Sequence, residues 1–133
     1  MASGVYTIWK TEIMKKTVDM VNDVVKAILL NNSHTFSAAN SAYSDISANE
    51  LATEGGYTQN NKELATKTVA AAAFDAADTA WTSATFTAYH CVLYDDTHAS
   101  DILICSIDFG GAQTVTSGTF TIQWNASGII TLT

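Results

Sequence analysis

The sequence contains no arginine and no proline, and no basic residue follows Lys67. Its six basic side chains are all lysines, at 10, 15, 16, 26, 62 and 67, against 13 acidic ones, for a formal net charge of -7. Arginine is the preferred bidentate reader of phosphate and guanine, and a phosphate backbone demands a basic patch. Nucleic acid is therefore a poor partner for this chain. With no proline, the turns fall to Gly, Asn and Ser.

Long apolar runs are missing too: none approaches the roughly 18 residues that a membrane-crossing helix needs. The start, MASGVYTIWK, lacks the basic-then-apolar order of a signal peptide and reads as a mature intracellular beginning. The two cysteines, Cys91 and Cys105, have neither metal nor redox spacing and are too few for a disulfide framework, which fits synthesis in a reducing compartment. Charged residues make up only 14% of the chain, so solubility is left to Thr, Ser and Asn, and partner subunits are expected to cover part of the surface.

What is present is one domain's worth of core-forming sequence: 133 residues, 47% hydrophobic. Residues 5–20 carry Val5, Ile8, Trp9 and Ile13 at helical spacing with lysines collecting toward the end, which predicts a short N-terminal helix. Its stripe either packs on a sheet or docks as an arm on a neighbour. The run DVVKAILL at 23–30 reads as a buried strand, and Ser33–Glu54 as a long connection with a turn or two of helix around Tyr43 and Ile46. YTQNNKELATKTVA reads either as two strands turning at Asn60-Asn61 or as one edge strand.

Beyond it, FDAADTAWTSATFTAYHCVLYDD splits near Thr82-Ser83 into two strands. The second folds back through Asp95–Asp101 onto DILICSIDF, which ends at Gly110-Gly111. VTSGTFTIQWN and GIITLT supply the last two. A hairpin symmetric about His98 sets Cys91 opposite Cys105, Val92 opposite Ile104 and Leu93 opposite Leu103, with Tyr89, Cys91 and Leu93 on one face with Leu103, Cys105, Ile107 and Phe109. The count is about eight strands at sandwich spacing, so the expected fold is a single all-β domain over 1–133. It is a sandwich of jelly-roll type with residues 1–20 as helix or arm.

Chemistry-bearing residues are sparse. Asp75, Asp78, Asp95, Asp96 and Asp101 fall near strand ends, where calcium finds its six to eight or so oxygen ligands, but without EF-hand spacing they read as solvated loop carboxylates. His34, His90 and His98 lack zinc spacing. His90 and Cys91 are adjacent in a strand and point to opposite faces, which rules them out as a nucleophile pair. Cys91 and Cys105 would be placed for a cross-strand disulfide in the expected register, although a reducing compartment favours free thiols. No phosphate loop, nucleophile elbow or metal motif is present, so the chain reads as non-enzymatic and without cofactor. Trp81, Trp124, Tyr57, Tyr89 and Tyr94 fit a sandwich core better than a sugar-stacking platform.

The segments GYTQNNKELATKTV, FDAADTAWTSATFTAYHCVLYDDT, DILICSIDFGG and GTFTIQWNASGIITLT resemble a group of small virion structural proteins of tailed bacteriophages. The likeness is carried by Gly56-Tyr57, Phe74 to Trp81, Tyr94 to Thr97, Ile107 to Gly111 and Gly128-Ile129. It covers residues 55–133 well and the first 54 only in outline. Tyr89 or His90 stands where the group has a basic residue, and the proline before DILICS is missing.

The resemblance implies a virion subunit made in the cytoplasm of a bacterial host. A capsid decoration protein on the outer head shell is the first reading, and a tail or fibre component or a receptor- or glycan-binding module the alternative. It implies the major capsid protein or other virion subunits as partners, and a homo-oligomer. Contact with a neighbour is expected at the N-terminal segment (Tyr6, Trp9), the long connection (Tyr43) and the hairpin tip (Asp95, His98), because termini and long loops reach farthest from a sandwich core.

Overall fold

The computed structural model describes residues 3–132. Among the described residues the chain is mostly β, with two antiparallel sheets and one α-helix, consistent with a β-sandwich. The larger sheet has the order β1 (Gly4–Val5), β7 (Leu103–Ile122), β6 (Thr79–Asp95), β2 (Val25–Leu30), β3 (Lys62–Glu63). The smaller sheet is β4 (Thr68–Ala70), β5 (Ala73–Asp75), β8 (Ile130–Thr131). This order is dominated by one long hairpin and does not establish a jelly-roll winding.

The helix α1, Thr7–Met14, occupies half of the span predicted for it. It ends because Lys16 takes a left-handed backbone, φ 63°, and the chain turns away. Its stripe packs on the sheet: Trp9 is buried, with Val5 and Ile13 against the same core. The aliphatic run becomes β2, an interior strand whose Ala27, Ile28, Leu29 and Leu30 are all buried. Side chains alternate across a strand, so its two faces feed two cores. Ala27 and Leu29 join Leu93, Ile104, Trp81, Phe74 and Ile130 between the sheets. Ile28 and Leu30 join Tyr6, Ile46, Val92, Tyr94 and Leu103 on the opposite face. That face is roofed by the 31–57 connection, which contains two 3-10 turns, Tyr43–Asp45 and Ser47–Asn49.

Bulges correct the expected strand plan. Thr82-Ser83 does not split a strand: β6 runs through, with one extra residue opposite Thr119 where Ser83 takes φ 49°. Past the Ala84↔Gly118 pair, Ser117, φ 47°, supplies the compensating extra residue on β7, and the register recovers. Gly110-Gly111 does not end its strand either. Between the pairs Ala88↔Gln113 and His90↔Asp108 the excess residues of β7 loop out, and both glycines have positive φ. Near the tip, Leu93 pairs with Cys105 and Tyr94 with Leu103, so Ile104 is an extra residue and Leu103 faces the second core. Cys91 therefore lies opposite Ile107, not Cys105, and both thiols are free and buried.

The turn expected at Asn60-Asn61 is also displaced. Asn60 does adopt φ 58°, but β3 pairs with β2 and the nearby hairpin is β4–β5. Its two-residue loop is Ala71-Ala72, at φ 52° and 62°. Two successive positive values belong to the hairpin turn that Asn-Gly usually fills.

Candidate functional site

The β6–β7 tip is built from polar side chains rather than left as a floppy loop. Asp95 Oδ1 accepts the Thr97 and His98 amides at 2.9 and 3.1 Å, and Thr97 Oγ1 accepts the Val24 amide at 2.8 Å. His98 Nδ1 accepts the Ser100 amide at 3.1 Å, which leaves the proton on Nε2 to donate to Glu12 Oε2 at 3.2 Å. Glu12 also accepts from Lys15 Nζ at 3.0 Å and from Thr17 Oγ1 at 2.5 Å. The Thr17 and Lys15 donors, ahead of His98, hold its carboxyl down to about 2. Helix α1 is thereby tied to the tip.

Asp95 is fully buried, and burial followed by the neighbouring Asp23 carboxyl pushes its pKa up to about 7. Lys26 bridges the next carboxylate along the chain, Asp96, at 3.2 Å.

A second polar knot fastens the long connection. Glu50 is buried and accepts from the hydroxyls of Tyr43 and Tyr57, the latter at 2.6 Å, and from the Asn60 amide at 2.8 Å. The Tyr57 oxygen in turn accepts the Leu29 amide at 3.0 Å. Burial first, and then the Glu50 carboxylate, drives both phenols well above their ordinary range. A third group is His34, whose Nε2 lies 3.0 Å from Ser106 Oγ and whose ring meets that of His90 edge-on at 4.9 Å. Both imidazoles are buried, which lowers both pKa values, that of His34 to about 4.

These arrangements place the residues that sequence reasoning singled out. Tyr6, Trp9 and Asp95 are buried within the chain, where they support the cores and the tip. Tyr43 is half-buried against Tyr94 and Glu50, and His98 is engaged with Glu12. The aspartates do not converge. Asp75 accepts the amide of Ala76 and Asp78 that of Trp124, at the end of the hairpin opposite to Asp95, Asp96 and Asp101. Among the described residues no three His, Cys, Asp or Glu side chains gather as a metal-holding group. Trp81, Tyr57 and Tyr94 are buried, so no sugar ring can stack on them. Burial raises both thiols, Cys105 to about 12, and keeps them protonated and unreactive at neutral pH.

Two surfaces were not foreseen. An apolar groove of about 330 Å³ runs between the 13–21 segment and the small sheet, over Trp9, Met20, Phe74 and Ile130, with Val21, Val69 and Leu132 exposed at its rim. The other is the outer half of the hairpin. Every charged side chain of the protein lies within residues 1–108, and none follows Asp108. The signal was in the sequence as a run without charge, but its meaning depends on exposure. Ala112, Gln113, Thr114, Thr116, Ser117, Thr119 and Thr121 all face water. Beneath them Phe109, Phe86 and Trp81 surround Phe120 at 5.1–6.1 Å.

Comparison with protein-family models, with curated proteins and with solved structures finds no match to this chain.

Proposed function

We propose that this chain is a non-enzymatic structural subunit of a tailed-bacteriophage virion, and that its role is capsid decoration. Copies would sit on the outer head shell and clamp neighbouring major capsid subunits, stabilising the particle by mass action without a chemical step. The sequence resemblance over residues 55–133 supports the phage assignment, with a jelly-roll winding as its finer fold expectation. The structural observation that carries the assembly reading is the exposed, uncharged outer half of the β6–β7 hairpin. A surface this poor in charge is suited to being covered by a partner. The net charge of -7 favours a shell exterior over a wall facing DNA.

Quantitative mass spectrometry of purified particles, with antibody labelling against this chain, tests the reading. Hundreds of copies on the head are expected. A few to a few dozen copies on the tail would favour a tail or fibre component instead, and none on the particle would end the virion reading.

A further inference from the structure

The free edge of β7 is open where most proteins close it. Strand β1 pairs only with Cys105 and Ser106, so from Gly110 to Ile122 the far side of β7 has no strand beyond it among the described residues, and β6 holds the near side. An unpaired edge is a row of backbone donors and acceptors ready for another strand. Proteins that must stay apart blunt such an edge with lysine, proline or an inward charge. This edge has none of these: its sequence, GGAQTVTSGTFTI, holds no charged residue and no proline. Bulges at Gly110–Ala112 and Ser117 interrupt it, leaving two short arms rich in Thr.

The charge pattern identifies the occupant. Two copies each carrying -7 repel wherever their charged surfaces meet, and all the charged side chains lie within residues 1–108. A partner of opposite charge would be met by acidic side chains along the edge, and there are none. An identical neutral strand is compatible. Antiparallel pairing about a two-fold axis is self-complementary, each copy supplying the same backbone groups to the other. We propose that a second copy of this chain adds to β7 between Ala112 and Thr121 in antiparallel fashion, so that the five-stranded sheet continues across a dimer. Main-chain hydrogen bonds would hold the pair together, and the Thr hydroxyls on the exposed face would pair across it.

This deepens the assembly reading but is tested apart from it, on the purified full-length chain. Sedimentation across a concentration series should show a monomer–dimer equilibrium. Hydrogen exchange followed through the same series should show protection appearing in residues 112–121. The variant Thr116→Lys with Thr121→Lys places one lysine on each arm and should weaken the dimer at least about tenfold while leaving the melting temperature of the monomer unchanged. A wild-type chain that stays monomeric into the millimolar range would overturn the proposal. So would protection confined to another surface, or a folded double-lysine variant that dimerises as tightly as wild type. Should the variant not fold, the wild-type protection map still decides. A chain that dimerises through β7 but is missing from particles would refute the virion reading alone. A monomeric chain found on particles would refute this one alone.

Discussion

Gly55 lies so close against β6 that a Cβ on it would stand 2.0 Å from the Thr85 carbonyl oxygen, while the Thr85 amide donates to the Gly55 carbonyl at 2.7 Å. The glycine also has φ 59°, so it is required both by its own backbone and by the strand it touches. The glycine pair lays the end of the long connection onto the hairpin at its Ser83 bulge, where a Cβ on Gly56 would approach the Ser83 carbonyl at 2.6 Å.

Gly55→Ala and Gly110→Ala therefore separate conformation from crowding. Gly110 has φ 79° and open space around it, so alanine there meets only the backbone penalty of about 1–2 kcal/mol. At Gly55 the clash is with backbone and cannot be relieved by a rotamer change, and a loss of about 3 kcal/mol or more is expected. Urea unfolding of both variants checks this; equal losses would mean that the Gly55–Thr85 contact is not tight.

Asp95 should be a stabilising target at alkaline pH. Its folded pKa of about 7 stands above that of an unfolded aspartate, so the favourable protonated form contributes fully below about pH 4 and is lost as pH rises through 7. Asparagine keeps an oxygen for the Thr97 and His98 amides and offers Asp23 a donor. Asp95→Asn is expected to gain about 1–2 kcal/mol at pH 8 and little at pH 4. A loss of the same size at both pH values would show that only the carboxylate makes the turn.

The buried histidines act with the opposite sign. His34 has a folded pKa of about 4, below its unfolded value near 6.5, so it contributes stability above pH 6.5 that is lost as pH falls toward 4. His90 is lowered in the same direction. Because Asp95 offsets part of this in the same window, the comparison is made between variants. His34→Gln should lose about 2 kcal/mol less than wild type between pH 7 and pH 5. Denaturant titrations at the two pH values read the difference, and parallel losses would sink the assignment.

The β4–β5 loop invites repair. Ala71 and Ala72 both hold left-handed backbone at a cost that Asn and Gly do not incur. Replacing them by Asn-Gly is expected to raise stability by about 1–2 kcal/mol without moving the flanking pair Ala70↔Ala73, as thermal melts would show.

The elements that could be read from the chain were those with a local cause. Val25–Leu30 is a short dense aliphatic run and is an interior strand; Val5, Trp9 and Ile13 carry the stripe that covers the core; Tyr43 and Ile46 lie in or beside short turns of the long connection. The hairpin was legible as strand but not in register. Symmetry about His98 is the simplest assumption, but Tyr94 pairs with Leu103 rather than Ile102, and the extra residue Ile104 adds a second step, so Cys105 lies opposite Leu93 rather than Cys91. Two of the candidate contact residues lie deeper than their place in the chain suggests, for a related reason. Position at a terminus or loop tip suggests reach, yet Tyr6 is drawn into the second core and Asp95 into its own turn.

Side-chain content and short-range pattern are enough to set the class: β-rich, acidic, free of arginine, with a helical stripe at the start and an uncharged run at the end. Those properties are sums over side chains or patterns within a few residues, and no folding partner can change them. The folded chain set which strands pair and where bulges fall. It also decided which polar groups are buried together and that the uncharged run stands as an open edge. Each of these depends on groups distant in the chain, such as Leu29 with Tyr57, or Asp95 with Asp23, whose meeting is set by packing of the whole core.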